Sequence, residues 1–356
     1  MSKIKLLIID DSALVRQVLT KIFSSDPEID IVGTASDPYV AARKMKEIKP
    51  DVITLDIEMP RMDGITFLQR LMAQYPIPVV VISTLTVEEA DTALMALEAG
   101  AVEVISKPKI NTKEALEEST IKLCAAVKTA YYARVERKRV ISKPKRSTHS
   151  ESTTTPQKRR NDIIRTTDKV VAIGASTGGV KAIKEILQQF PVDCPGVVIV
   201  QHMPKLFTKQ FAFRLDNECE VSVKEAEDGE SILKGHVLIA PGNLHLTVKR
   251  SGAKYIVQLL DAPLVNRHRP SVDVLFQSVA QSVGKNAIGV ILTGMGSDGA
   301  KGILDMKVAG AFTIAQDEQS SVVYGMPKEA VKLNAIDKIL NLNQIAPEVI
   351  RKANQV

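Results

Sequence analysis

Short apolar runs alternate with amphipathic stretches throughout the first 125 residues of the chain. Between the runs, apolar residues recur three and four positions apart, which places them on one face of a helix. Five such strand-helix repeats predict an α/β fold, in which helices cover both faces of a doubly wound parallel sheet. The predicted strands lie at 5–9, 30–35, 52–55, 78–83 and 102–106.

A second series of the same kind begins at Lys169. The stretch 246–260 alternates apolar and polar residues around a Ser-Gly pair, which predicts a β-hairpin. The remaining runs predict a second α/β domain with a doubly wound parallel sheet. Its predicted strands lie at 170–173, 197–200, 236–240, 288–292 and 312–315.

The segment between the two series differs in composition. Eleven Lys and Arg residues stand against four acidic residues between 133 and 168, in a chain whose net charge is +6. This segment is rich in Ser, Thr and Pro, and it has too few large apolar residues to order itself by burial. We therefore predict domains at 1–125 and 169–350, joined by a helix end and a flexible basic linker at 126–168. Nonspecific contact of the linker with an acidic partner stays open.

Composition also bears on location. No apolar stretch is long enough to span a bilayer, and the first residues turn acidic too soon for a signal peptide. Cys124, Cys194 and Cys219 are odd in number and widely spaced, which fits a reducing compartment better than a disulfide framework or a zinc site. We expect a cytoplasmic protein that is not inserted in a membrane.

Polar residues gather at the carboxyl ends of the strands in the first half. Asp10 and Asp11 follow the first strand, Asp56 follows the third, Ser83 ends the fourth and Lys107 follows the fifth. Parallel strands bring these ends to one edge, where three carboxylates repel each other unless a cation lies among them. Mg²⁺ favours such oxygen ligands, and a lysine with a hydroxyl suits a phosphoryl group. Asp56 is then a nucleophile that forms an aspartyl phosphate.

The stretch GASTGG follows the first strand of the second half and allows two interpretations. A dinucleotide site requires GxGxxG, but Ser176 stands where the second glycine belongs, and the next strand ends in Gln201 rather than an acid. A GxSxG turn instead presents Ser176 as a nucleophile at the edge of the sheet, beside free N–H groups of a helix N-terminus. The residues favour the nucleophile.

A serine nucleophile needs a base and a residue that orients the base. His202 is the histidine that directly follows a parallel strand, and Asp298 lies in a glycine-rich turn after another. We predict that Ser176 attacks an acyl carbon, that His202 carries the proton and that Asp298 orients the imidazole. Thr177 and Met295 are candidates for supporting the site and its oxyanion.

The first half resembles the receiver domain of two-component response regulators over roughly residues 3–125. The resemblance rests on the Asp10-Asp11 pair, LDIEMPRMDG, VISTLT and SKPK. It implies a flavodoxin-like fold, Mg²⁺-dependent phosphorylation of Asp56 and a histidine kinase as phosphodonor. The chain departs from many receivers at Val104, where an aromatic residue is common, so switching by rotation of a buried ring is in doubt.

The second half resembles the methylesterase domain of the CheB family of chemotaxis enzymes over about residues 168–350. The matching motifs are IGASTGG, VQHMP, IAPGNLHL, RPSVDVLF, ILTGMGSDG and QDEQSSVVYGMP. The resemblance implies hydrolysis of glutamate γ-methyl esters on chemoreceptor helices, deamidation of receptor glutamines and no cofactor in the catalytic domain. It also implies that the unphosphorylated receiver packs over the hydrolase site.

Two alternative functions and one question about a loop remain open at this point. A response regulator whose output binds nucleic acid through the basic linker is one, although no helix-turn-helix, RRM or zinc pattern appears and we expect no nucleic-acid partner. A catalytically inert scaffold is another. The loop Arg267–Arg269 either attracts acidic receptor helices or is an ordinary solvated loop.

Overall fold

A computed structural model describes residues 3–59, 62–84, 87–108, 112–135 and 169–355. Most of the segment predicted to be a flexible basic linker, residues 136–168, lies outside the described residues. The described parts form two parallel α/β sheets and a separate hairpin.

The first half contains one five-stranded parallel sheet. Its strand order is β2-β1-β3-β4-β5, the flavodoxin-like arrangement that the sequence predicts. All five predicted strands are present. The elements are β1 (Ile4–Ile9), α1 (Ala13–Ser24), β2 (Ile29–Ala35), α2 (Pro38–Glu47), β3 (Val52–Leu55), α3 (Gly64–Gln74), β4 (Val79–Ser83), α4 (Val87–Ala99), β5 (Glu103–Ser106) and α5 (Lys113–Tyr131).

Side chains that the local sequence supplies start several of these helices. Ser12 Oγ accepts a hydrogen bond from the Val15 N–H at the start of α1. Asp63 Oδ1 accepts from the Thr66 N–H at the start of α3, and Thr112 Oγ1 accepts at the start of α5. These caps satisfy backbone donors that no helical carbonyl can reach.

The second half contains a seven-stranded parallel sheet of order β14-β13-β12-β6-β7-β9-β8, and the fold class is again the predicted one. The hairpin pairs β10 with β11. The elements are β6 (Val170–Ala175), α6 (Gly179–Leu187), β7 (Gly196–Gln201), α7 (Lys205–Glu218), β8 (Ser222–Glu225), β9 (His236–Ile239), β10 (His245–Ser251), β11 (Lys254–Leu260), α8 (Val272–Ser282), a 3-10 turn (Gly284–Asn286), β12 (Ala287–Ile291), α9 (Ala300–Val308), β13 (Phe312–Gln316), α10 (Met326–Lys332), β14 (Lys338–Leu340) and α11 (Leu342–Ala353).

The strand order fixes where a site can form in the second half. β6 is the first strand of this sheet along the chain, but it lies inside the sheet, between β7 on one side and β12 on the other. The connections therefore reverse direction between β6 and β12, and ligands of doubly wound sheets bind beyond the carboxyl ends of strands at such a point.

The two halves share hydrophobic packing. One buried cluster contains Ala93 and Leu94 of α4 together with Ile183 of α6 and Phe211 of α7. Burial of these side chains removes apolar surface of both halves from water, which favours their association. Among the described helices, none combines the length and the apolar composition that crossing a bilayer requires.

Candidate functional site

Ser176 lies directly beyond the carboxyl end of β6. Its N–H donates to the Thr293 carbonyl at 3.0 Å, and its own carbonyl accepts from the Gly179 N–H at 2.8 Å. The turn requires glycine at two positions. Gly178 has a φ of +81°, and a Cβ on Gly179 would lie 2.0 Å from Gln201 Oε1. The glycines of GASTGG therefore allow the tight turn that leaves Ser176 partly exposed at the sheet edge.

His202 and Asp298 meet at the same edge. The N–H of His202 donates to the Ala175 carbonyl at 3.1 Å, which places the residue beside the end of β6. Its Nε2 lies 2.8 Å from Oδ2 of Asp298, which is buried in the turn after β12. The structure thus brings together all three residues that the sequence predicts for the edge of this sheet.

Asp298 is surrounded by hydrogen-bond donors. The N-terminus of α8 points two backbone N–H groups at its carboxylate, where the helix dipole also favours negative charge. Burial disfavours the charged form of Asp298, but the hydrogen bond and charge of His202, followed by the other donors, hold its pKa well below its usual range. The donors are Asn266 Nδ2, Ser271 Oγ, Val272 N, Asp273 N and His202 Nε2.

Among the described residues, the side chains of Ser176 and His202 are not joined by a hydrogen bond. Nδ1 of His202 is buried and has no hydrogen-bond partner in the described parts of the chain. Ser176 Oγ makes no hydrogen bond within those parts either. Since Nε2 faces Asp298, Nδ1 is the nitrogen available to a serine proton.

Two backbone donors lie near Ser176. Within the described ranges, the N–H groups of Thr177 and Met295 make no hydrogen bond. Thr177 is held in place because Thr293 Oγ1 donates to its carbonyl at 2.9 Å. The two residues predicted from sequence as oxyanion candidates therefore have N–H groups that a ligand oxygen can accept from.

The first half of the chain forms one wall of the cleft around these residues. Ser176, His202 and Met295 line it from one side, and Val104 and Ala125 line it from the other. Thr129 of α5 donates from Oγ1 to the sulfur of Met295. The side chain of an oxyanion candidate is thus in direct contact with the other half.

Charged contacts continue this interface along α6 and α7. Arg214 of α7 donates to Asp91 Oδ1 at 3.0 Å and to Glu98 Oε2 at 2.5 Å, both on α4. Lys184 of α6 donates to Glu98 Oε1 at 2.8 Å. Beyond α5, Arg134 Nη2 donates to Glu318 at 2.9 Å. These four ion pairs connect the described parts of the two halves.

The acidic residues of the first half also converge. Single carboxylate oxygens of Asp10, Asp11 and Asp56 lie within 4.8 Å of one another. Nζ of Lys107 lies 2.7 Å from Asp56 Oδ2 and 3.6 Å from Asp10 Oδ2. Burial raises the pKa of Asp10 and of Asp56, although Lys107 partly opposes the effect. Ser83 is buried at the end of β4, on the same edge.

The three side chains of the basic loop Arg267–Arg269 have different surroundings. Arg269 Nη1 donates to Asp261 at 2.6 Å, and burial lowers the pKa of His268 to about 4. Arg267 is exposed. Of the three basic side chains of this loop, that of Arg267 is therefore the most exposed to solvent.

Sequence reasoning missed the donors to Asp298 in this loop and at the start of α8. Asn266 and Ser271 reach a residue about thirty positions away, and no local period signals that contact. The signal available was Ser271 before an amphipathic helix, a residue type common at helix starts.

The chain is similar to known proteins over both of its halves. The family described as CheB methylesterase matches residues 171–349, and the response regulator receiver domain matches residues 6–119. A protein from Rhodospirillum rubrum named protein-glutamate methylesterase/protein-glutamine glutaminase 2 is 55% identical, over 99% of both chains. A relative from Geobacter metallireducens with the same enzyme name, numbered 3, is 53% identical over 99% of both chains.

A solved structure gives the same result for the second half. The crystal structure of the Thermotoga maritima CheB methylesterase catalytic domain is 42% identical, with a TM-score of 0.51. The match covers 52% of this chain and 98% of that one. The chain therefore belongs to the CheB methylesterase family, and it carries a response regulator receiver domain ahead of the methylesterase domain.

Proposed function

We propose that the chain hydrolyses glutamate γ-methyl esters of chemoreceptors and deamidates receptor glutamines, in bacterial chemotaxis adaptation. The observation that carries the proposal is the 2.8 Å contact of His202 Nε2 with Asp298, beside Ser176 at the switch point of the sheet. The names of the relatives support the substrate class. The catalytic unit corresponds to residues 169–350.

The proposed reaction begins at Ser176. Its Oγ attacks the carbonyl carbon of the side-chain ester while its proton passes to Nδ1 of His202. Asp298 stays ionised and stabilises the imidazolium through Nε2–H. The N–H groups of Thr177 and Met295 donate to the tetrahedral oxyanion. The charge that develops is thus met by groups already in position.

Collapse of the intermediate expels methanol, which takes its proton from His202, and leaves an acyl-Ser176 ester. Water then attacks the acyl carbon as His202 removes its proton and returns one to Ser176 Oγ. A primary amide follows the same route and releases ammonia. The same side chains, backbone donors and water molecule therefore serve both ester hydrolysis and deamidation.

In the receiver, we propose that Asp56 accepts a phosphoryl group from a chemotaxis histidine kinase. Asp10, Asp11 and Asp56 would hold Mg²⁺, and Oδ2 of Asp10 is buried without a hydrogen-bond partner among the described residues, as a ligand atom would be. The ion would neutralise charge on the transferred phosphoryl oxygens. Lys107 and Ser83 would bind those oxygens. The phosphoacceptor unit corresponds to residues 1–125.

We further propose that this phosphorylation activates the hydrolase. The receiver lines the cleft and touches Met295 through Thr129, so substrate entry requires the two halves to separate. In the unphosphorylated chain Lys107 is engaged by Asp56 at 2.7 Å. A phosphoryl group would take over that lysine and change the edge of the sheet from which α4 starts.

Methanol release from methylated receptor membranes tests the proposal directly. Release should increase when a small phosphodonor and Mg²⁺ are added, and Ser176→Ala should release none above background. A serine-directed phosphonate should label the wild type at Ser176 and leave the alanine variant unlabelled. Labelling elsewhere, or methanol release by Ser176→Ala, would refute the assignment of the nucleophile.

A further inference from the structure

A tight turn at 265–268 contacts two members of the proposed triad. It is closed by two backbone hydrogen bonds, from the Val265 N–H to the His268 carbonyl at 3.1 Å and back at 2.9 Å. The two central residues, Asn266 and Arg267, have φ values of 52° and 68°. Asparagine tolerates this conformation, whereas arginine adopts it at an energetic cost.

The side chain of Asn266, in this turn, contacts two carboxylates. Its Nδ2 donates to Oδ1 of Asp298 and to Oδ2 of Asp273, at 2.7 Å each. The two acids lie close enough to repel, and burial together with the charge of Asp298 raises the pKa of Asp273. One amide group thus bridges the two carboxylates and adds to the hydrogen bonds that hold Asp298 at the start of α8.

His268 uses the turn to reach the imidazole of His202. The two ring centroids lie 3.7 Å apart and the ring planes differ by 5°, so the rings are stacked face to face. Two charged imidazoles at this distance would repel each other. Desolvation, followed by the charge of His202, lowers the pKa of His268, whereas Asp298 opposes the shift. Of the neighbouring cations, Arg269 is paired with Asp261 and Arg267 is exposed.

We propose that the turn at 265–268 is a positioning element for the triad, in which stacking on His268 holds the plane of the His202 ring and Asn266 holds Asp298. The inference rests on the proposed function of the triad. The uncharged ring of His268 covers one face of His202, so rotation of the base away from Asp298 would break the stack. The stack therefore keeps Nδ1 of His202 available to Ser176, although Nδ1 itself makes no hydrogen bond in the described parts of the chain.

A matched pair of variants separates ring stacking from simple volume. Both His268→Phe and His268→Leu fill the space, but only phenylalanine offers a flat ring. We expect His268→Leu to lower kcat for methanol release, and the rate of Ser176 labelling by a fluorophosphonate, at least tenfold with KM within twofold. His268→Phe should stay within threefold of the wild type, and the acid limb of its pH-rate profile should not move. Asn266→Ala should lower kcat as His268→Leu does.

His236→Leu is the control, because His236 is a half-buried histidine at the start of β9, away from the cleft. It should match the wild type in both assays. Wild-type kinetics in His268→Leu, or equal losses in the leucine and phenylalanine variants, would overturn the inference. So would a loss confined to KM, which would indicate substrate binding. Absence of labelling in the wild type would instead count against the triad itself.

Discussion

Glu98, one residue before the end of α4, accepts a hydrogen bond from Nη2 of Arg214 on α7 at 2.5 Å. The pair joins the receiver to the methylesterase domain, and α7 begins three residues after His202. Lys184 reaches the same carboxylate from α6, the helix that follows Ser176. The receiver is therefore bound to both helices that extend from the candidate catalytic residues.

Removing this carboxylate should raise the activity of the unphosphorylated enzyme. Glu98→Ala leaves Arg214 and Lys184 without their shared partner, so the closed arrangement loses stability relative to the open one. A partly exposed pair contributes roughly 1 kcal/mol, which corresponds to about a fivefold shift in the equilibrium. The rate of methanol release in the absence of a phosphodonor measures this shift. Glu47→Ala, which removes an exposed carboxylate from α2, should leave the basal rate unchanged.

Phosphoryl-dependent activation should require the acidic pocket and a divalent ion. Asp56→Asn cannot form the aspartyl phosphate, so a small phosphodonor should not raise its rate of methanol release. Chelation of Mg²⁺ should abolish activation of the wild type and leave the basal rate intact, because the proposed hydrolysis uses no metal. A chain starting near Lys169 should be active without phosphodonor. An inert fragment would mean that the receiver helps to build the active site.

Gly294 should be essential for activity, because there is no room for a side chain at its position. A Cβ there would lie 2.3 Å from Met326 Sδ and 2.7 Å from Ser176 Cβ. Gly294→Ala must displace the serine, and we expect a loss of about 1–3 kcal/mol of stability from overpacking together with a large fall in kcat. In Gly252→Ala nothing lies within 4 Å of the new Cβ, although the backbone there has a positive φ. That variant should lose stability but keep its kcat.

Much of this architecture could be predicted from the sequence because its signals are local. The buried strands of both sheets are continuous apolar runs, and the candidate catalytic residues directly follow such runs or lie in the next turn. β8 and β14 were not predicted because neither is a continuous apolar run of ordinary strand length. β8 has the polar sequence SVKE, and β14 has only three residues, as is typical of short edge strands.

The contacts that organise the site depend on distant parts of the chain. Asn266 meets Asp298 32 positions away, and Glu98 meets Arg214 116 positions away. A polar residue in a loop carries no periodicity that identifies its partner. The basic loop shows the consequence, since composition does not indicate that Arg269 is paired with Asp261 while Arg267 is exposed.

The last prediction concerns Glu103, a half-buried carboxylate at the start of β5 that lines the cleft between the domains. Desolvation raises its pKa from an ordinary 4.5 to about 7. An acid with a raised pKa binds its proton more tightly in the folded protein, so it lowers stability progressively as pH rises from 4.5 to 7 and by a constant amount above. Glutamine cannot ionise. The melting temperature of Glu103→Gln should therefore exceed that of the wild type by a margin that widens from pH 5 to 7 and is constant to pH 8. A margin in Glu103→Gln that does not change with pH would mean that Glu103 ionises as readily in the folded protein as in the unfolded chain.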